Sequence, residues 1–295
     1  MSIAIKKSLG DYVFDTFNYI FLFFVAVFSL YPFLYVLFAS VSIPQRLIQH
    51  DGLLLLPLGF QIDGYLQVFK NTIITIGYKN TLIYVIAGTA INVLLTVIGA
   101  YVLSRKWFSL KNIFMLFITV TMFVNGGLIP SYLLVRELGI FNTRWAILFP
   151  GAISTWNLII TRTYFSSSIP DSMEESAKID GANDYIVLFK IMLPLAVPIV
   201  AVITLFYAVG HWNSWFNALI YLNDRNLYPL QLFLREILVS ASADTLMIEI
   251  TSERDSVREV IKYATIIIST LPILCIYPFA QKYFIKGIMV GALKG

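Results

Sequence analysis

An all-α, polytopic membrane protein with six transmembrane helices is the fold class predicted by this 295-residue sequence. Three observations predict it. Hydrophobic residues make up 58% of the chain and charged residues 13%, about half the roughly 25% charge of a soluble domain. Mean hydropathy is +0.79. The few charges are excluded from six long windows. So little charge cannot cover a water-facing surface, which argues against a soluble enzyme, a nucleic-acid binder or a disordered scaffold. The net charge of +4 then reads as basic residues on cytoplasmic loops, not as affinity for nucleic acid. The single cysteine, Cys275, permits no intrachain disulfide.

Each Lys, Arg, Asp or Glu at a bilayer centre costs about 2.5 to 3.5 kcal/mol, so charge-free windows mark spans. They are Thr16–Gln45, Asn80–Ser104, Asn112–Val135, Trp145–Thr161, Ile191–Asn223 and Tyr263–Gln281. A spanning helix needs about 20 residues. The first window is too long for a signal peptide, and no small-residue cleavage site follows it.

Six spans place both termini on one side of the membrane. With that side as the cytoplasm, segments 1–15, 104–111, 162–190 and 282–295 hold 11 Lys+Arg and 7 Asp+Glu, a balance of +4. The outside segments hold 10 of each, a balance of zero. The basic loop Arg105-Lys106 to Lys111 and the C-terminal tail carry this bias, so N-in, C-in is the expected topology. Two outside loops are long, Arg46–Lys79 and Asp224–Lys262 (residues 224–262). The second contains Leu232–Leu238, which reads as a short amphipathic helix.

Reactive chemistry is missing. No phosphate-cradling Gly-x-x-x-x-Gly-Lys-Ser/Thr occurs, nor a His-Glu-x-x-His metal motif. The two histidines, His50 and His211, fall on the outer side and far apart in sequence. No span holds a carboxylate pair for acid–base work, and the charge-free mid-membrane argues against a proton- or sodium-coupled carrier. The predicted set of catalytic, cofactor and metal residues is therefore empty.

The spans do carry small and neutral polar residues. Gly88, Asn92, Thr96 and Ala100 recur every four residues on one face. Helix–helix packing explains them first, because small residues let backbones approach and Asn or Thr bonds across. Pathway lining is the alternative. The same two readings apply to Thr119, Thr121 and Asn125 in the third span and to Thr155 and Asn157 in the fourth. Trp212, Trp215 and Tyr221 read as an aromatic belt, or alternatively as a sugar-contacting platform. Asn92, Thr96, Thr121, Asn125, Asn157, Trp212 and Trp215 are thus the pathway candidates.

The inner loop Ser166–Lys190 (166–190 with its flanks) is the most informative segment. Asp171-Ser172-Met173-Glu174 has the form of a capping box. Pro170 blocks an upstream helix, Glu174 and Glu175 suit the first turn, and Gly181 suits a left-handed stop. A helix over Ser172–Asp180 is expected. A second should follow, with Tyr185, Leu188, Phe189 and Met192 on one apolar face and Pro194 and Pro198 opening the fifth span. Lys178 has no evident partner. Anionic lipid would repel so acidic a first helix, so a protein partner fits it better than the membrane surface.

The run Glu175-Ser176-Ala177-Lys178-Ile179-Asp180-Gly181, nine residues and then Ile191-Met192-Leu193-Pro194 resembles the EAA signature of ABC importer permeases. The one departure is Ser176 for Ala, which keeps the small size. Glu174–Ala182, the stretch Trp212–Leu222 and the tail from Gln281 resemble the carbohydrate, maltose-type branch. The tail looks most like permeases for oligosaccharide or polysaccharide fragments, such as those of alginate or pectin. The resemblance covers nearly the whole chain and implies one permease domain, 1–295, with the type I ABC importer fold.

That resemblance also implies partners: a second homologous permease completing the pore, two ABC ATPase subunits that hold ATP and magnesium, an extracytoplasmic solute-binding protein, an oligosaccharide cargo and membrane lipid. Glu174, Glu175, Ser176, Ala177, Asp180 and Gly181 would couple to the ATPase, and Ala292–Gly295 would reach into the ATPase pair. A self-sufficient facilitator or a membrane enzyme is the alternative. A facilitator needs no docking helix, and an enzyme needs reactive groups.

Overall fold

The computed structural model describes residues 8–245, 260–276, 278 and 281. Among them there are helices and no strand. The helices group into two compact units, one of residues up to Lys70 with Ile237–Ile268, the other of Asn71–Glu236 with the segment from Ser269.

In the first unit, α1 runs Leu9–Ser40, 32 residues. At 1.5 Å per residue it is about 48 Å long, more than a hydrocarbon core needs. Its start is a capping box: Ser8 Oγ accepts from the Asp11 amide, and the Asp11 carboxylate accepts from the Ser8 amide at 2.7 Å. Most of its apolar side chains, Phe17, Phe21 and Phe28 among them, are exposed. Only its end is buried, where Ala39 packs with Leu47, Leu54 and Val260. Two short helices follow, α2 (Pro44–Ile48) and α3 (Asp63–Lys70).

The second unit is built on α4, Thr72–Ser104, 33 residues with a π turn at Tyr84–Gly88. Asn71 caps it by accepting from the Ile73 amide. The charge-free window began at Asn80, so the helix starts eight residues earlier. Lys79 is exposed and does not interrupt it, because one solvated side chain leaves the backbone ladder intact.

Three expected spans are broken or bent. The third window divides into α5 (Lys111–Val120) and α6 (Leu128–Glu137), parted at Asn125-Gly126-Gly127, where Gly127 has φ +82°. The fourth divides into α7 (Trp145–Leu148) and α8 (Thr155–Ser168), parted at Pro150-Gly151. Helix α8 continues past Arg162 to Ser168. After α9 (Asp171–Ile179), the chain forms α10 (Asp184–Leu195) and α11 (Val197–Trp212), which meet at 86°. Pro194 and Pro198 flank that bend; proline lacks the amide that would continue the ladder. Helix α12 is Phe216–Tyr221. Of the described helices, α1 and α4 are each long and apolar enough to cross a membrane, and the bent α10–α11 pair passes the same test together. Helix α14, Val260–Ile276, is shorter but apolar.

Several apolar clusters hold the second unit together, and one of them joins four helices to α4. Val97, Ala100, Tyr101 and Leu103 of α4 pack with Leu158 and Phe165 of α8, Ala177 of α9, Leu188 and Met192 of α10, and Ile203 and Tyr207 of α11. The amphipathic helix expected at Leu232–Leu238 lies within α13, Leu230–Thr245. Its start is pinned to α4: the Leu230 amide donates to Thr81 Oγ1 at 2.9 Å. The preceding loop is pinned too, since Asn80 Nδ2 donates to the carbonyls of Asn226 (2.6 Å) and Tyr228 (3.1 Å).

Candidate functional site

Where α4 ends, Arg105 turns extended and its side chain runs inward, 1% exposed. Every edge of the guanidinium is used. Nε donates to Ser104 Oγ (2.9 Å), Nη2 to the Phe165 carbonyl (2.9 Å) and Nη1 to Glu174 Oε2 (3.0 Å). Glu174, 7% exposed, accepts at its other oxygen from Lys178 Nζ (2.7 Å) and Trp107 Nε1 (3.2 Å). Lys178 Nζ also lies 3.2 Å from Asp184 Oδ1 and 5.6 Å from the Trp107 ring centroid. Asp171 Oδ2 is 2.7 Å from Lys106 Nζ. Three cations thus meet three carboxylates where α4, α9 and α10 converge.

The hydrogen bond and charge of Lys106 hold the Asp171 carboxyl below its ordinary value, with Arg105 adding to the effect. The hydrogen bond from Lys178 to Glu174 raises the lysine, with Asp184 adding to the effect. Both shifts favour the charged forms of Asp171 and Lys178.

This geometry corrects three sequence expectations. Pro170, not Asp171, occupies the N-cap of α9, and no side chain caps it. Asp171 and Glu174 use their carboxylates on basic residues instead of on the backbone, so there is no capping box. Lys178 has three partners where the sequence reading named none. The apolar face of α10 is Val187, Leu188 and Met192; Tyr185 is 77% exposed and Phe189 41%. The stretch Val187–Met192 is a π-helix, and its wider turn rotates the buried face away from the spacing of an α-helix.

The C-terminus of α9 follows expectation. Gly181 has φ +85°. Its amide donates to the Lys178 carbonyl (3.1 Å), and the Ala182 amide donates to the Ala177 carbonyl (2.9 Å). These are the paired bonds of a Schellman motif, which a left-handed glycine closes without strain. The six residues expected to act together therefore divide. Glu174 and Ala177 face inward as anchors; Glu175, Ser176, Asp180 and Gly181 face outward. Ile179, 87% exposed, joins the outward set. Sequence reading passed it over, although an apolar residue amid polar ones at a helix end was the available signal.

Of the seven pathway candidates, the structure brings two together. Asn92 and Asn157 line a cavity of about 440 Å³ between α4, the α7–α8 break and α11, shared with Ser154, Trp156, Tyr207, His211 and Asn217. Thr96 is fully buried and its hydroxyl pairs with that of Tyr207 at 2.7 Å. Thr121 Oγ1 donates to the Ile118 carbonyl, and Asn125 Oδ1 accepts from the Gly127 amide. Trp212 is 5% exposed, donating to the Ser269 carbonyl at 3.1 Å, so it belongs to the packed interior and not to an aromatic belt. Trp215 carries the Arg235 guanidinium 4.5 Å from its ring centroid. The small-residue face on α4 is a packing seam: Gly88 and Asn92 meet His211, and Thr96 meets Tyr207. A lone histidine inside an apolar window was the signal for the cavity.

These features coincide with known transport proteins. Residues 96–290 match the family described as binding-protein-dependent transport system inner membrane component. The chain is 40% identical over 287 residues to the polygalacturonan/rhamnogalacturonan transport system permease protein YtcP of Bacillus subtilis, covering 96% of this chain and 99% of that one. It is 38% identical to protein LplC of the same organism, covering 96% and 95%. A crystal structure of a bacterial ABC transporter involved in the import of the acidic polysaccharide alginate contains a chain that superposes with a TM-score of 0.86 at 34% identity, covering 95% of this chain and all of that one. The chain belongs to the binding-protein-dependent transport system inner membrane component family. It is a membrane-embedded permease subunit of the ABC importer class, and the resemblance read from its inner loop stands.

Proposed function

We propose that this chain forms one half of the translocation pore of an ATP-driven, binding-protein-dependent importer of oligosaccharides. A second permease supplies the other half, two ATPase subunits bind and hydrolyse ATP, and an extracytoplasmic binding protein delivers the cargo. The chain lies in a bacterial cytoplasmic membrane with both termini inside. The observation that carries the coupling role is the two-sidedness of α9. Its inner face is locked to Arg105 and Trp107, so the helix moves with the end of α4. Its outer face presents Glu175, Ser176, Ile179 and Asp180 to the ATPase. A push on that face passes through a buried ion pair into a spanning helix, with little slack between them. The expected contact of Ala292–Gly295 with the ATPase pair falls outside the described residues.

Oligosaccharide fragments of uronic-acid polysaccharides are the cargo class that the relatives and the alginate importer support first. The test is uptake into proteoliposomes holding the complete complex, with labelled oligogalacturonates, oligoalginates and neutral galacto-oligosaccharides. ATP-dependent accumulation of acidic oligosaccharides is expected. Failure to accumulate any of the three would contradict the reading.

A further inference from the structure

The cavity that Asn92 and Asn157 line has open hydrogen-bonding groups that the fold itself does not use. Asn92 Nδ2 donates to the carbonyls of Gly151 (3.3 Å) and Ala152 (2.9 Å). Both its protons are committed, so its Oδ1 must accept the 3.0 Å bond from His211 Nε2. That fixes the proton of a neutral His211 on Nε2 and leaves Nδ1 as an acceptor. Nδ1 has no protein partner among the described residues. Neither do the side-chain amides of Asn157, itself 4% exposed, and Asn217. Trp156, 57% exposed, borders the same space. The imidazole is held in place from behind as well: a Cβ on Gly88 would come within 2.3 Å of His211 Nε2. None of the residues lining the cavity is Asp, Glu, Lys or Arg.

Aimed, unpaired amide and imidazole groups beside an aromatic ring, with no charge among them, match a pyranose ring and its hydroxyls. A carboxylate would find no counter-charge here. We propose that this cavity is an uncharged sugar-hydroxyl subsite of the translocation pathway. In it His211 Nδ1 accepts from a ring hydroxyl, the amides of Asn157 and Asn217 serve neighbouring hydroxyls, and Gly88 and Asn92 set the angle of the imidazole. The subsite reads the hydroxyl face of the cargo and leaves any uronate carboxyl to other parts of the complex. It rests on the sugar-import reading above.

The test is concentration-dependent uptake of labelled 4-linked trigalacturonate by the complete reconstituted importer. Glutamine at 211 keeps an amide near Nε2, and so keeps the tie to Asn92, but places nothing at Nδ1. Asparagine does the reverse. His211→Gln is expected to raise KM for uptake by about tenfold or more with maximal rate within about twofold, while His211→Asn raises it less than about threefold. Asn157→Leu, which removes no protein hydrogen bond, is expected to raise KM by about tenfold with the complex assembled normally. If His211→Gln is benign and His211→Asn damaging, His211 is a strut for Asn92 and the subsite is overturned. An unchanged KM in Asn157→Leu overturns it equally. A wild-type complex that imports no trigalacturonate instead contradicts the cargo reading, and the subsite falls with it.

Discussion

Arg105 Nη1 and Glu174 Oε2 meet at 3.0 Å across 69 positions of sequence, with both side chains buried. Neither partner can be lost cheaply. Removing one side of a buried ion pair typically costs about 3 to 5 kcal/mol because the other charge is stranded, whereas replacing both with apolar residues is often neutral. Arg105→Leu and Glu174→Leu should each lower the thermal stability of the purified complex strongly, and the double substitution should recover most of the loss. A double-mutant cycle of melting temperatures checks this. Additive losses would mean that the two side chains do not act as a pair.

Lys178 provides the next test. It contacts Glu174, Asp184 and the Trp107 ring, so Lys178→Ala should not be silent. A loss on the order of 1 kcal/mol in local stability is expected, between the values for surface and buried pairs. Limited proteolysis within residues 166–190 should show it as faster cleavage.

The same cluster predicts a pH response. The Asp171 pKa is lowered in the folded protein, so its contribution is complete above the ordinary 3.8 and is lost as pH falls through the lowered value. The Lys178 pKa is raised, so its contribution is complete below the ordinary 10.5 and is lost as pH rises through the raised value. From about pH 5 to 9 both are intact. Protection of the loop from proteolysis should be flat across that window. A transition near neutrality would show that another group controls the loop.

Orientation is checked by cysteine labelling in a Cys275→Ser background. Asp51, Ser109 and Ser176 are all exposed, so accessibility reports the side of the membrane and not burial. Asp51→Cys should react with an impermeant maleimide in intact cells; Ser109→Cys and Ser176→Cys should react only after permeabilisation. Labelling of Ser109→Cys in intact cells would invert the topology.

Much of this was legible in sequence because it is local. The acidic α9, its stop at Gly181 and the amphipathic start of α13 follow from capping chemistry and apolar spacing. Breaks within the charge-free windows escaped a criterion that looks only for charge. Asn125-Gly126-Gly127 and Pro150-Gly151 end helices through backbone conformation, with no charge to reveal them. The start of α4 was missed for the opposite reason, since Lys79 marks the edge of an apolar window and not the end of a helix. The roles of Asp171 and Glu174 toward Arg105, Lys106 and Trp107 were beyond sequence reading, because those partners lie on a loop more than sixty residues away; the tie of Lys178 to Glu174 is a local i,i+4 pair that the sequence offered and the reading passed over. The division of pathway candidates into packed Thr96 and Trp212 and cavity-lining Asn92 and Asn157 likewise depends on which helices meet.

The central claim is that α9 transmits the ATPase stroke to α4 through an outward face and a buried anchor. Its most direct test is binding-protein-stimulated ATP turnover by the reconstituted complex carrying Glu175→Lys or Gly181→Val. Glu175 is exposed and makes no tie that holds the fold, and a side chain at Gly181 costs about 1 to 2 kcal/mol of left-handed strain at the turn that aims the helix. Both complexes should therefore insert and assemble, but their ATP turnover should no longer rise when cargo-loaded binding protein is added. Stimulation and uptake at wild-type levels in both would contradict the assignment of α9 as the coupling element.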